Sequence, residues 1–224
     1  MAHDPRLLAT AIDIVLRAGE IQLAHFHRGV RVEKKGAIDL VTEADLEVER
    51  MCRRVLAARF PSHAILAEEL AHEPGQGAAS DHCWVFDPID GTTNFAHGLP
   101  IFCASLGLEI DGRVEIAAIY DPTRRELFTA ERGGGAWLNG APLRVSGASA
   151  LIEALLVTGF PYDVHEHGDD VLGLFGEFVR RARAVRRLGS AALDMAYVAA
   201  GRFDAFWEDG LKPWDVAGAS LLVE

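Results

Sequence analysis

A chain of 224 residues, half of them hydrophobic and a quarter charged, can bury one large core and fits a single globular domain. Its 33 acids against 22 bases give a net charge of −11, which excludes nucleic acid as a partner for the surface as a whole, because phosphate binding needs clustered Lys and Arg. No apolar run approaches membrane-spanning length, no basic-then-apolar leader opens the chain, and Cys52, Cys83 and Cys103 sit in apolar contexts without CxxC spacing, so the expectation is a cytoplasmic protein with buried thiols and no membrane partner.

Asp4-Pro5 reads as an N-cap with proline at the first helical position. Leu8, Ile12, Val15, Leu23 and Phe26 then share one helical face, which predicts a long amphipathic helix. Thr42 reads as the cap of a second helix, with Val48, Cys52 and Val55 as its buried stripe and Pro61 stopping it near Phe60. Ala64 to Ala67 reads as a short strand leading into Glu68-Glu69, and residues 71–82 read as a polar loop. Trp84-Val85-Phe86 reads as the end of a buried strand. Asp87-Pro88-Ile89-Asp90 follows, and then Gly91-Thr92-Thr93, where a helix could start.

From Ile101 to Val145 the pattern is β, with Asp111-Gly112 and Asn139-Gly140 as hairpin turns. Gly133-Gly134-Gly135 lacks the spacing and the lysine of a phosphate loop and reads as part of a bulged hairpin. Beyond Ile152 the chain alternates. Leu155–Val157, Ala184–Arg186 and Phe203–Trp207 read as strands, and 169–182, Ser190–Ala200 and a segment from Trp214 as helices. The arginines 180, 181, 183, 186 and 187 read as a solvated helix end. Strands in the middle with helices around them predict layered α and β structure. The chain stops at Leu221-Leu222-Val223-Glu224 inside an apolar helical pattern, so the expectation is a polypeptide that continues.

The chemistry concentrates at Asp87 to Thr93. Acids at a strand end can hold hard cations, and the free N–H groups of a new helix turn can hold an anion. Phosphoryl transfer needs both side by side. Read alone, Asp-Pro and Asp-Gly are common turn dipeptides and Asx residues often cap helices. Further acids shift the balance. Glu68 and Glu69 follow a strand and are not separated by chemistry alone. Asp215 opens a helix in Trp214-Asp215-Val216-Ala217-Gly218. Asp45 lies in Thr42-Glu43-Ala44-Asp45, which taken singly is a capping box, as Asp215 taken singly is a favourable helix-start charge.

Together these segments resemble the inositol monophosphatase family of Mg²⁺-dependent, lithium-sensitive sugar-phosphate phosphatases. Asp87-Pro88-Ile89-Asp90-Gly91-Thr92-Thr93-Asn94-Phe95 matches the family's central motif, and Trp214 to Gly218 its second. Asp39-Leu40-Val41-Thr42-Glu43-Ala44-Asp45 and Ala67-Glu68-Glu69 match two shorter elements, in the same order. The resemblance implies an αβαβα sandwich of helices and mixed or mostly antiparallel sheets, spanning 1–224 as one domain without the family's last strand and helix. It implies Mg²⁺ held by Glu68, Asp87, Asp90, Asp215 and the carbonyl of Ile89, and phosphate held by the N–H groups of Gly91 and Thr92. It implies that Thr92 and Asp45, with Glu68 nearby, orient or deprotonate the attacking water. Glu208 would contact substrate hydroxyls, Ala191 would line the ring pocket through its backbone, and the partners would be a small phosphate monoester and a second copy of the chain in a homodimer. Lys34 or Lys35 would approach the metal loop, although solvent exposure is the simpler reading of both. His97, His165 and His167 read as surface or loop histidines beside an all-oxygen site.

The substrate that this reading favours is inositol 1-phosphate, with Phe160-Pro161-Tyr162-Asp163 and Glu208 leaning that way. Histidinol phosphate, fructose 1,6-bisphosphate and 3′-phosphoadenosine compounds would use the same site. A bisphosphate would want an extra cation over the pocket, and the sequence identifies none. A metal-binding regulatory subunit without turnover is the non-enzymatic alternative.

Overall fold

Asp4 and Pro5 start the 24-residue helix α1 (Pro5–Arg28) in the computed structural model, which describes residues 4–28, 32–34, 40–70 and 80–224, and at 32–34, 40 and 167 the backbone alone. The helix buries Leu7, Ala11, Ile14, Val15, Ala18 and Gln22. The predicted face is therefore corrected: Val15 lies in the stripe, but Leu8, Ile12, Leu23 and Phe26 are at its half-buried margin. The polar Gln22 was hidden from a hydrophobic pattern. Its amide donates to the carbonyl of Pro88 at 2.7 Å, and such a bond allows a buried amide.

β1 (Val32–Lys34) and β2 (Leu40–Thr42) form an antiparallel pair too short to leave a periodic signal. α2 (Glu43–Arg59) starts at the Thr42 cap as expected. Its buried face includes Val48 and Cys52 and also two acids, Asp45 and Glu49. After β3 (Ala64–Ala67) comes β4 (His82–Asp90), which corrects the expected strand end. The strand does not stop at Phe86 but carries both aspartates, with a register shift between Asp87 and Asp90 where Pro88 interrupts the ladder. Most of the predicted 71–82 loop lies outside the described residues.

α3 (Thr92–Ala96) then leads to a meander of β5 (Cys103–Ile110), β6 (Arg113–Asp121), β7 (Glu126–Glu131), β8 (Gly135–Leu138) and β9 (Ala141–Pro142). Asp111-Gly112 and Asn139-Gly140 turn with positive φ, as their sequences predict. The three glycines close the β7–β8 hairpin. The C-terminal half holds β10 (Leu155–Thr158), the unpredicted short helix α4 (Val164–His167), α5 (Asp169–Arg181), β11 (Ala184–Arg186), α6 (Ala191–Ala199), β12 (Ala205–Trp207) and α7 (Pro213–Val223).

β3 to β9 form one seven-stranded sheet in sequence order, parallel at β3–β4 and antiparallel elsewhere. β11, β10 and β12 form a smaller parallel sheet. Side-chain alternation along the strands divides the core. Trp84, Phe86, Leu106 and Ala118 pack with α1 and α2 on one face, while Cys103, Ala117, Ile119 and Phe128 pack with α6 and α7 on the other. In β10, Val157 joins the α6 side and Leu156 meets Phe178 of α5. The order is thus α, β, α, β, α, as expected. Among the described residues no helix is long and apolar enough to cross a membrane.

Candidate active site

Parallel pairing of β3 and β4 aligns Ala67 with Phe86; Glu68 is then the first residue past β3, while Asp87 is the next residue of β4 and still pairs with Ser105 of β5. Asp87 is 2% exposed. Burial raises its pKa well above the usual carboxylate range, and the charges acting on it most are all acids: Glu68, Asp90, Asp215 and Asp45. Glu68 comes first among them, which separates it from Glu69. Glu69 is half-buried, and its N–H donates to Glu49 at 2.8 Å.

The irregular step of β4 between the two aspartates is held by several hydrogen bonds. Asp87 Oδ1 accepts the N–H of Ile89 at 2.9 Å, and Gln22 grips the carbonyl of Pro88. Asp90 Oδ1 accepts from the Ala191 N–H at 3.1 Å, and its Oδ2 accepts from the Ala192 N–H at 2.6 Å and the Ser190 hydroxyl at 2.7 Å. These bonds offset part of the burial that raises the pKa of Asp90. The N–H of Ala191, the residue expected to line the ring pocket through its backbone, is used by Asp90 at the start of α6. Asn94 donates to the carbonyls of Ile101 and Leu188 at 2.9 and 2.8 Å and ties α3 to the same segment.

Gly91 has φ 103°, and a Cβ there would come within 2.9 Å of the Ile101 carbonyl oxygen. Only glycine makes this turn without strain. The Thr92 hydroxyl that follows donates to the Ile89 carbonyl at 2.9 Å and stands 3.5 Å from Asp45 Oδ1. Asp45 is fully buried, and its Oδ2 accepts the Thr42 N–H at 2.8 Å. The cap and the site are therefore one residue with two oxygens. Asp215 behaves likewise. Its Oδ2 accepts the Lys212 N–H at 2.6 Å, while burial, with Asp90 in the same sense, brings its pKa up to about 6.

Glu208 lies against Gly159, where any Cβ would collide with its carboxylate. Burial first, and then Asp90, push its pKa up to about 7, with Arg187 acting the other way. Sequence reasoning placed Arg187 on a solvated helix end and missed this proximity, along with the cation's place 6.0 Å from the Phe160 ring centroid. It also missed Asp194, Ser190, Gln22 and Glu49, which are polar residues within apolar helices or beside glycine. His97 and His165 are exposed, as expected, although His165 is in α4 rather than in a loop. Lys35 and the side chains of Lys34 and His167 lie outside the described residues.

Whether these residues suit a metal follows from their chemistry. Glu68, Asp87, Asp90, Asp215 and the Ile89 carbonyl are hard oxygen donors, the set that Mg²⁺ prefers. Among the described residues no three His, Cys, Asp or Glu side chains are disposed to hold an ion as they stand. Asp87, Asp90 and Asp215 each turn at least one oxygen to backbone N–H groups. A cation would offset the burial and the like charges that together raise Asp87, so the donor set fits.

A layered α/β sandwich that gathers buried acids around a glycine-opened turn defines the sugar-phosphatase fold class. The chain belongs to the inositol monophosphatase family, whose model matches residues 4–224. A relative from Pseudomonas aeruginosa called Nus factor SuhB is 46% identical over 222 residues, covering 97% of this chain and 82% of the relative. The solved structure of inositol monophosphatase from Anabaena (Nostoc) sp. PCC 7120 is 40% identical with a TM-score of 0.87, covering 97% of this chain and 80% of that one. A more distant structure, of an IMPase/NADP phosphatase complexed with Mg²⁺ and phosphate, is 27% identical with a TM-score of 0.79, covering 92% and 76%.

Proposed function

We propose that this chain hydrolyses a small phosphate monoester, inositol 1-phosphate before others, in a Mg²⁺-dependent reaction. The observation that carries the reading is the position of Glu68 just past the end of β3 and of Asp87 at the next step of the parallel strand β4, ahead of the Gly91–Thr92 turn, with Asp90 and Asp215 close enough to act on Asp87. Glu68, Asp87, Asp90, Asp215 and the Ile89 carbonyl would hold the metal. Mg²⁺, when bound, supplies positive charge against the phosphate and lowers the pKa of water. The N–H groups of Gly91 and Thr92 would hold phosphate oxygens. Thr92 spends its proton on Ile89, which leaves lone pairs on Oγ1 to accept from a water, and Asp45 Oδ1 stands behind as a second acceptor. Glu208 would take substrate hydroxyls. The same reading treats 1–224 as one domain that acts as a cytoplasmic homodimer, is inhibited by lithium, and uses neither nucleic acid nor membrane as partner.

A second reading follows the name of the P. aeruginosa relative, a Nus factor, and makes the chain a metal-binding regulatory protein without turnover. The full set of acids with Thr92 favours the first, because a pure binder has no use for a water-orienting pair. Phosphate release measured over inositol 1-phosphate, histidinol phosphate, fructose 1,6-bisphosphate and a 3′-phosphoadenosine compound tests both. The highest kcat/KM is expected for inositol 1-phosphate. A higher value for another ester would replace the substrate, and no release from any would leave the second reading.

A further inference from the structure

Glu49 lies one helical turn after Asp45 on α2, with its side chain wholly buried. Its Oε2 accepts the N–H of Glu69 at 2.8 Å and that of Leu70 at 3.2 Å, and its Oε1 also accepts the Leu70 N–H at 3.1 Å. Arg53, one further turn along, pairs with Glu49 Oε1 through Nε at 2.8 Å and Nη2 at 2.7 Å. The same Nη2 donates to the Leu70 carbonyl at 2.9 Å. One ion pair thus grips both the N–H groups and a carbonyl of the segment just after Glu68.

That segment has already left the sheet, since the β3–β4 ladder ends at Ala67 and Phe86. The carboxylate of Glu49 takes the place of a neighbouring strand. A buried ion pair contributes little net stability over an apolar pair of the same size, so its use here points to geometry. The same face of α2 offers Asp45 to Thr92 and Glu49 to Glu69 and Leu70, so one rigid helix sets the distance between two parts of the site.

We infer that the Glu49–Arg53 pair is a positioning element that fixes Glu68 against Asp87. The inference rests on the reading of Glu68 as a metal ligand. Outer partners that orient a ligand carry a measurable share of metal affinity. Glu49→Gln keeps the shape but turns an amide N–H₂ toward donors. Arg53→Lys keeps the charge but cannot reach Glu49 and Leu70 with one planar group.

The test is Mg²⁺ binding by calorimetry, with the Mg²⁺ dependence of phosphate release beside it, in the wild type, Glu49→Gln, Arg53→Lys, Glu68→Gln and the exposed control Glu47→Gln. Glu49→Gln should raise the Mg²⁺ Kd about tenfold or more, with kcat at saturating Mg²⁺ close to wild type. Arg53→Lys should move it in the same direction by less, and carries the test alone if Glu49→Gln does not fold. Glu47→Gln should match the wild type. Wild-type Kd in Glu49→Gln and Arg53→Lys, with weakened binding in Glu68→Gln, overturns the inference and leaves the proposed function intact. Wild-type Kd in Glu68→Gln removes Glu68 as a ligand, and the inference falls with it.

Discussion

Asp87 shows how a single residue can be costly to the fold and necessary to the chemistry. It is buried among acids that all raise its pKa, so above its ordinary pKa of 3.8 its charge destabilises the metal-free native state. Asp87→Asn keeps an acceptor for the Ile89 N–H and removes the charge. The metal-free variant should melt higher than the wild type near pH 7, and Mg²⁺ should no longer raise its melting temperature. Thermal melts with and without Mg²⁺ check this, and a lower metal-free melting temperature would contradict it. Thr92 separates binding from chemistry. Thr92→Ala should lower kcat by about a hundredfold while the Mg²⁺ requirement changes little, because the hydroxyl acts on water. A normal kcat would remove its role. Asp87 and Asp90 drew attention in the sequence because paired acids after an apolar run stand out, whereas Asp45 read singly as a cap and its pairing with Thr92 came only from the family resemblance. Glu49, Arg187 and Asp194 were not legible, because tertiary packing places them: Glu49 on α2 meets the segment after β3, Arg187 lies in the connection from β11 to α6, and Asp194 is on α6.

Elements bring the acids together, and glycine sets how closely. Helix α7 crosses β5 closely at two glycines: a Cβ on Gly107 would stand 3.1 Å from the backbone of Ala217 and Gly218, and one on Gly218 would stand 2.9 Å from Ser105 Oγ. Gly107→Val should therefore push α7, and Asp215 with it, away from the sheet. The expected outcome is a loss of about 1–3 kcal/mol in stability together with a raised Mg²⁺ requirement. Denaturant unfolding and Mg²⁺ titration measure the two, and an unchanged Mg²⁺ requirement would show that Asp215 does not depend on this contact. The longer helices and the hairpins at 111–112 and 139–140 were readable from caps, periodicity and Asn-Gly or Asp-Gly turns, while α4 and the β1–β2 pair were not. The extension of β4 through Asp87 and Asp90 was not, since proline and paired acids read locally as a turn, and only pairing with β5 keeps them in the strand.

At the scale of the whole molecule, buried acids link stability to pH. Burial pushes Asp194 from 3.8 up to about 9 and Glu208 from 4.5 up to about 7. An acid with a raised native pKa holds its proton more tightly when folded, so stability is lost as pH rises from the unfolded value through the folded one. His63, lowered by burial and by His82 beside it, acts in the opposite sense as pH falls below about 6.5. The metal-free melting temperature should thus fall between pH 6.5 and 9. Mg²⁺ should flatten or reverse that slope, because its ligands bind deprotonated. A metal-free melting temperature that rises over this range would contradict the burial of these acids. The central claim is tested most directly by phosphate release from inositol 1-phosphate with excess chelator and then with Mg²⁺ restored. The account predicts no release in chelator and recovery with Mg²⁺, and undiminished turnover in chelator would contradict it.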